Sequence, residues 1–298
     1  MKDNRILNIR YSIRYLLIAA AIMVLIVISI LNFFSYRADH AAKVSGYTQG
    51  ITIAELNLSN NILKFITRKD LTFANKAKND INNLKKYVNK LKSAGYAKES
   101  LKIMQNIKRM TVLLDKTITS EKRMGLTDKQ GIRGKLNNSL KQIENDLNVL
   151  NIKTLLIGLL KARVQEKNYI EQGKMEYVSA WNDAMSTLSI TIATNADLSE
   201  NVKERLSNEF KKYMSGFSKY ITEYQNVNIA VAKIEEATKK DSAYSLKLYR
   251  TVLSKANKNI RIGTILFWIV SILGTILSII AAFAASNMIV KPFVKPAG

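Results

Sequence analysis

Arg163 is the residue whose type and setting most directly suggest chemistry. It lies on a helical stripe with Ile152, Leu156, Leu159 and Ile170, so a cation shares the apolar side of its helix. A charge there is costly unless it is paired. Either an acid answers it, Glu166 or one on another helix, or the planar guanidinium captures a ligand carboxylate through two parallel hydrogen bonds. Lys167, next on the chain after Glu166, either adds a second positive charge or is a solvated helix residue. Thr238, Asp241 and Ser245 interrupt an otherwise apolar seam and read as a buried polar layer or as a pocket wall. Catalytic machinery is not evident. The chain has no Cys and a single His, His40, which excludes thiolate catalysis, Cys-ligated metal and multi-His sites. It carries no P-loop, dinucleotide-binding glycine turn, HExxH or paired-carboxylate motif. The expectation is a protein that is not an enzyme, with no metal and no cofactor.

These residues must be positioned by helices. The 298 residues contain two prolines, Pro292 and Pro296, so almost the whole chain runs without a helix breaker. Residues 15–36 and 262–290 are free of charge, and each exceeds the ~20 apolar residues that cross a bilayer as a helix. The first stretch is too long for the core of a cleaved signal peptide and reads as an uncleaved anchor. Lys2, Arg5, Arg10 and Arg14 precede it, and Lys291 and Lys295 follow the second stretch. Positive flanks stay in the cytoplasm, so residues 37–261 are expected outside it, in a multi-pass protein of the cell (inner) membrane. The formal charge of +23 therefore lies mostly outside the cell interior, which argues against nucleic acid and leaves membrane lipid as a partner. The organisation expected is a cytoplasmic segment 1–14, a span 15–36, an exported domain 37–261, a span 262–286 and a cytoplasmic tail 287–298.

The exported domain reads as helical throughout. Ile81, Leu84, Val88 and Leu91 are spaced 3-4-3. Ile107, Thr111, Leu114 and Ile118 are spaced 4-3-4, and Leu136, Leu140, Ile143, Leu147 and Leu150 continue 4-3-4-3. Val227, Val231, Ile234, Thr238, Asp241, Ser245, Leu248 and Val252 alternate the same way. Such spacings are seams of helix bundles. Turns are expected at Ser93-Ala94-Gly95, across Gly125–Gly134, at Gly173 and around Asn195-Ala196-Asp197, with Asp197 or Ser199 as a cap. The lack of a breaker between Gly134 and Gly173 predicts one helix of roughly 38 residues, ~57 Å long. A second long helix is predicted from about residue 199 into the second span. Long helices flanked by shorter ones suggest an all-α domain of two stacked four-helix bundles that share the long members.

Several segments carry a family resemblance. Gly125-Leu126, Gly131, Gly134-Lys135-Leu136, Ile143-Glu144, Leu159-Leu160-x-x-Arg163-x-x-Glu166-Lys167-x-Tyr169 and Tyr177 occur in order and at matching spacings. This pattern resembles the helical bimodular sensor domain of methyl-accepting chemotaxis receptors and sensor kinases. The resemblance implies two stacked four-helix modules and binding of small organic acids, with Arg163 and Lys167 as ligand residues; a homodimer is a separate expectation. The family's first helix usually offers arginines near the pocket. Here that stretch reads Leu58-Ser59-Asn60-Asn61-Ile62-Leu63-Lys64, leaving Lys64 and Asn60 as the polar candidates. Ile289-Val290-Lys291-Pro292-Phe293 looks like the first residues of a HAMP linker. The cytoplasmic signalling domain that such a linker serves is absent from this chain.

The function expected is a chemoreceptor-like signal transducer that senses small organic acid anions and passes a helix shift through the second span. The small residues Ser271, Gly274 and Ser278 on one face of that span suit close helix approach in a dimer. The competing class is a structural or assembly protein resembling polysaccharide chain-length regulators. Those carry a Pro-rich approach to the second span and some β structure, and the approach here, KANKNIRIGTILFW, has no Pro.

Overall fold

With no proline before Pro292, a helix in this chain ends where a residue turns left-handed or where a cap intervenes. Both devices operate in the computed structural model, which describes residues 2–290. Among the described residues there are seven helices and no strand: α1 (Lys2–Arg68), α2 (Leu71–Ser93), α3 (Ala97–Met124), α4 (Gly131–Val149), α5 (Lys153–Gln172), α6 (Met175–Thr194) and α7 (Glu200–Val290). Lys291, Pro292, Phe293 and Lys295, on which the linker reading and the tail's charge rest, lie outside them.

The expected turns fall between helices as read. Gly95 (φ 93°) follows α2, and Gly173 (φ 70°) caps α5 with its N–H on the Tyr169 carbonyl at 2.7 Å. The glycine-dense segment supplies the loop between α3 and α4. There Gly125 has φ 109°, and a methyl group on it would collide with the Gln130 carbonyl. Ser199 stands before α7, its carbonyl accepting the N–H groups of Val202 and Lys203.

The single helix predicted from Gly134 to Gly173 is in fact two. Asn151 adopts φ 56° and ends α4. The Ile152 N–H returns to the Leu147 carbonyl and the Asn151 N–H to the Asn148 carbonyl, both at 3.0 Å. This is the Schellman pattern, with Asn in the left-handed position usually held by Gly. Asparagine tolerates that conformation because its short polar side chain bonds locally. Replacing Asn151 by Val should therefore cost about 1–2 kcal/mol, whereas Asn151→Gly should be neutral or stabilising. Urea unfolding checks this, and equal midpoints for the Val and Gly variants would contradict it.

The described chain divides into two compact units. One comprises Thr52–Val88 and Lys98–Ser242; the other comprises the described parts of Met1–Ile51, Asn89–Ala97 and Ala243–Gly298. Residues 37–51 and 243–261, expected as part of the exported domain, thus group with the apolar stretches.

Within the first unit, polar contacts tie helices in two closed sets. In one set Asn61 of α1 donates to Asp80 of α2 (2.7 Å), and Lys78 of α2 pairs with Asp115 of α3 (2.9 Å). Asn106 of α3 donates to Asp241 of α7 (2.6 Å), and Ser242 of α7 donates to Glu55 of α1 (2.5 Å). In the other, Arg163 of α5 pairs with Glu144 of α4 (2.8 Å), and Tyr213 of α7 donates to Glu166 of α5. Trp181 of α6 reaches Tyr213 (3.5 Å), and Arg205 of α7 reaches Asp146 of α4 (3.8 Å).

Most predicted seams are buried: Ile81, Leu84, Val88 and Leu91 of α2, and Leu136, Leu140, Ile143 and Leu147 of α4. On α3, Met110 takes the core position read for Thr111, which is only partly buried. Methionine has the larger apolar area to remove from water at the neighbouring position. On α5 the buried line is Leu155, Leu159, Ala162, Glu166 and Tyr169, so Glu166 holds the place expected for Arg163. Both lines share Leu159, and the one carrying Tyr169 buries more apolar area.

Two helices, α1 and α7, contain stretches long and apolar enough to cross a membrane. Along them Ile18, Leu25, Phe33, Ile272 and Ile280 are among many large apolar side chains left exposed. Exposed apolar surface of this length is compatible with helices that cross a membrane.

Candidate functional site

Arg163 sits at the edge of the α4–α7 core with its side chain 25% exposed. Its Nη1 donates to Glu144 Oε1 on α4 at 2.8 Å. The acid that answers it, Glu144, is thus on another helix. Lys167 is exposed on the same helix. Asn60 is exposed on α1, and the Lys64 ammonium lies 5.8 Å from the centroid of the Phe73 ring. The structure therefore places Arg163 and Lys167 together on α5, in one helix set, and Lys64 and Asn60 on α1, in the other.

Glu166 is the buried group of this region, 3% exposed. Burial pushes its carboxyl above the usual range, opposed by the Tyr213 hydroxyl and by the charges of Arg163, Lys167 and Arg133. Tyr213 is pushed up in turn, by burial first and then by the Glu166 charge. The donor is held by sequence spacing: Tyr213, Phe217, Tyr220 and Tyr224 recur 4-3-4 along α7. They form a continuous aromatic face with Tyr169 and Trp181, the Trp181–Phe217 centroids lying 4.6 Å apart. Offset and edge-on packing of this kind fixes rotamers and so fixes the hydroxyl on the carboxylate.

A second buried acid, Glu121, lies on α3's core line and is fully enclosed. Lys69, the left-handed residue between α1 and α2, reaches it at 2.6 Å. Burial raises its carboxyl, and Lys69 and then Arg133 pull it back. Arg133 thus acts on both Glu121 and Glu166, while its own guanidinium pairs with Asp128. A third place with several cations is a groove of about 690 Å³ between α3 and α7, lined by Lys116, Arg123, Lys233, Ser120 and Asn226 among others.

Thr238, Asp241 and Ser245 are all buried, the first of the two readings offered for them. Among the described residues no group of three or more His, Cys, Asp or Glu side chains is arranged to hold a metal ion. The arrangement can bind charge. The Arg163 and Glu144 side chains are 25% and 23% exposed, so solvent reaches both members of the pair.

Sequence reading missed Glu55, Glu121 and Tyr213. Their signal was present. Val44, Thr48, Ile51, Glu55, Leu58, Ile62 and Phe65 are spaced 4-3-4-3-4-3 and are all buried. Ile103, Ile107, Met110, Leu114, Thr117, Glu121 and Met124 repeat the same spacing on α3. An acid at a seam position is the signature of a buried carboxylate. The chain matches no family model, and a search of curated proteins finds no match.

Proposed function

We propose that this chain is the ligand-sensing transmembrane portion of a chemoreceptor-like signal transducer. It binds small organic acid anions outside the cytoplasm and carries no catalytic activity. The observation that carries this reading is the unbroken α7. One helix, Glu200–Val290, bears the aromatic face with Tyr213, the buried Asp241 and the second apolar stretch. A ligand held against α7 alters the packing of the same rigid element that enters the membrane. Packed helices accommodate such differences as shifts of ~1–2 Å, and the ligand's differential affinity for the two packings sets the size of the response.

Two further features support the reading. The closed contact sets α1–α2–α3–α7 and α4–α5–α6–α7 suit two stacked four-helix modules. The Glu144–Arg163 pair and the Tyr169 core contacts join separate pieces of the sensor-domain motif. In this reading the basic flanks lie in the cytoplasm, residues 37–261 lie outside, and two copies pair along their spans in the inner membrane.

Thermal shift of the full chain in detergent, screened against small organic acids, tests the proposal. A ligand at 100 times its Kd adds ~2.7 kcal/mol, which is roughly 5–10 °C in Tm for a domain of this size. Arg163→Ala should remove that shift. If no acid shifts Tm, the sensing function is rejected. If Arg123→Ala abolishes the shift while Arg163→Ala retains it, the ligand sits in the α3/α7 groove and the Arg163 assignment fails.

A further inference from the structure

Glu55 of α1 and Asp241 of α7 are 1% and 4% exposed. Each carboxyl has one oxygen engaged: Ser242 donates to Glu55 Oε2 at 2.5 Å, and Asn106 donates to Asp241 Oδ1 at 2.6 Å. The other oxygens, Glu55 Oε1 and Asp241 Oδ2, are buried without a hydrogen-bond partner. The Asp241 charge also opposes ionisation of Glu55. Two like charges in an apolar core, each with an unsatisfied oxygen, form an arrangement that ionised carboxylates do not tolerate.

We propose that Glu55 and Asp241 form a buried proton-binding site that joins α1 to α7. Protonation removes one of the two charges and converts an unpaired acceptor into a hydroxyl. Among the described residues, the groups that act on Glu55 are Ser242 and Asp241, and the group that acts on Asp241 is Asn106; none of them is a cation. From α3 the facing side chain is the Asn106 amide, and Lys102, one turn away, is exposed. From α7, Ser242 and Thr238 present hydroxyls, while Lys239 and Lys240 are exposed, with Lys240 drawn to Glu236. On α2, Asp80 is held by Asn61, and Tyr87 is partly buried. Burial raises Glu55 to about 8 and Asp241 to about 6. In consequence the folded chain binds more protons than the unfolded one between the ordinary glutamate value of 4.5 and about 8. Stability therefore falls as pH rises through that window. The loss is felt where α1 and α7 meet, on the two helices that also contain the apolar stretches. The site is independent of the organic-acid reading and stands or falls without it.

The test follows Tm of the full chain in detergent from about pH 5 to about pH 9.5, a range that brackets both carboxyls. Wild type should lose roughly 5 °C or more between about pH 6 and about pH 9. Glu55→Gln should flatten that slope and be the more stable protein at the alkaline end. An identical slope in Glu55→Gln overturns the proposal. So does recovery of wild-type Tm at alkaline pH by Mg²⁺ or Ca²⁺ with loss again on chelation, which would make the pair a metal site. Should Glu55→Gln fail to fold, Ser242→Ala supplies a second measurement. Ser242 favours the ionised form, so its removal should raise the midpoint of the wild-type transition by about one pH unit, a tenfold gain in proton affinity. An unmoved midpoint counts against the site.

Discussion

Phe217→Ala is expected to lower the unfolding free energy by about 3–5 kcal/mol. Phe217 is fully buried at the centre of the α4–α7 core. Its ring lies 4.6 Å from Trp181, 5.8 Å from Tyr169 and 6.5 Å from Tyr220, centroid to centroid. The change removes apolar burial, leaves a cavity that rigid aromatic neighbours cannot collapse into, and forfeits their edge-on contacts. The same variant should also loosen Tyr213, whose hydroxyl is aimed at Glu166 by that face. Urea unfolding followed by Trp181 fluorescence measures both. A loss under about 1 kcal/mol would mean that the core relaxes freely and the aromatic face has no positioning role.

Lys69→Met is expected to cost about 2–4 kcal/mol near pH 8, and most of that should vanish in acid. Lys69 is the ammonium that reaches the enclosed Glu121 carboxylate. Removing it leaves a buried charge with no partner, the costly way to break such a pair. Its side chain is 22% exposed, which reduces the figure below that of a fully enclosed pair. The direction with pH follows from Glu121. Its carboxyl lies above 4.5 in the folded chain because of burial, and loss of Lys69 drives it higher. A raised acid destabilises the fold as pH climbs from its unfolded value to its folded one, and the variant extends that window upward. Wild type and variant should therefore run together in acid, up to the raised folded value of Glu121 in wild type, and separate above it. Methionine keeps the left-handed strain at position 69, so the comparison isolates the charge. A gap that does not change with pH would contradict the buried-carboxylate account.

Periodicity in this sequence reaches far because the helix is a local structure. A 4-3 repeat of apolar residues has one solution at each position, and the absence of proline before Pro292 removes the alternatives. Hence the all-helical class, the two apolar spans, the turns at Gly95, Gly125 and Gly173, and a single α7 running into the second span are readable from residues alone. So was the burial of Thr238, Asp241 and Ser245, since they keep seam spacing. What the pattern could not decide depended on groups distant in the chain. The α4–α5 break rests on Asn151 turning left-handed, a conformation stabilised here by two returning backbone hydrogen bonds. The choice between the Arg163 and Glu166 lines on α5 is a rotation of less than a turn, smaller than the width of an apolar stripe. Packing against the Tyr213–Phe217 face of α7 settled it for Glu166. The partners of these four carboxylates came from elsewhere in the chain: Tyr213 for Glu166, Lys69 for Glu121, Ser242 for Glu55 and Asn106 for Asp241. Spacing along one helix identifies which acid must be buried. Only the packing of a second helix determines whether a hydroxyl, an ammonium or nothing at all stands opposite it.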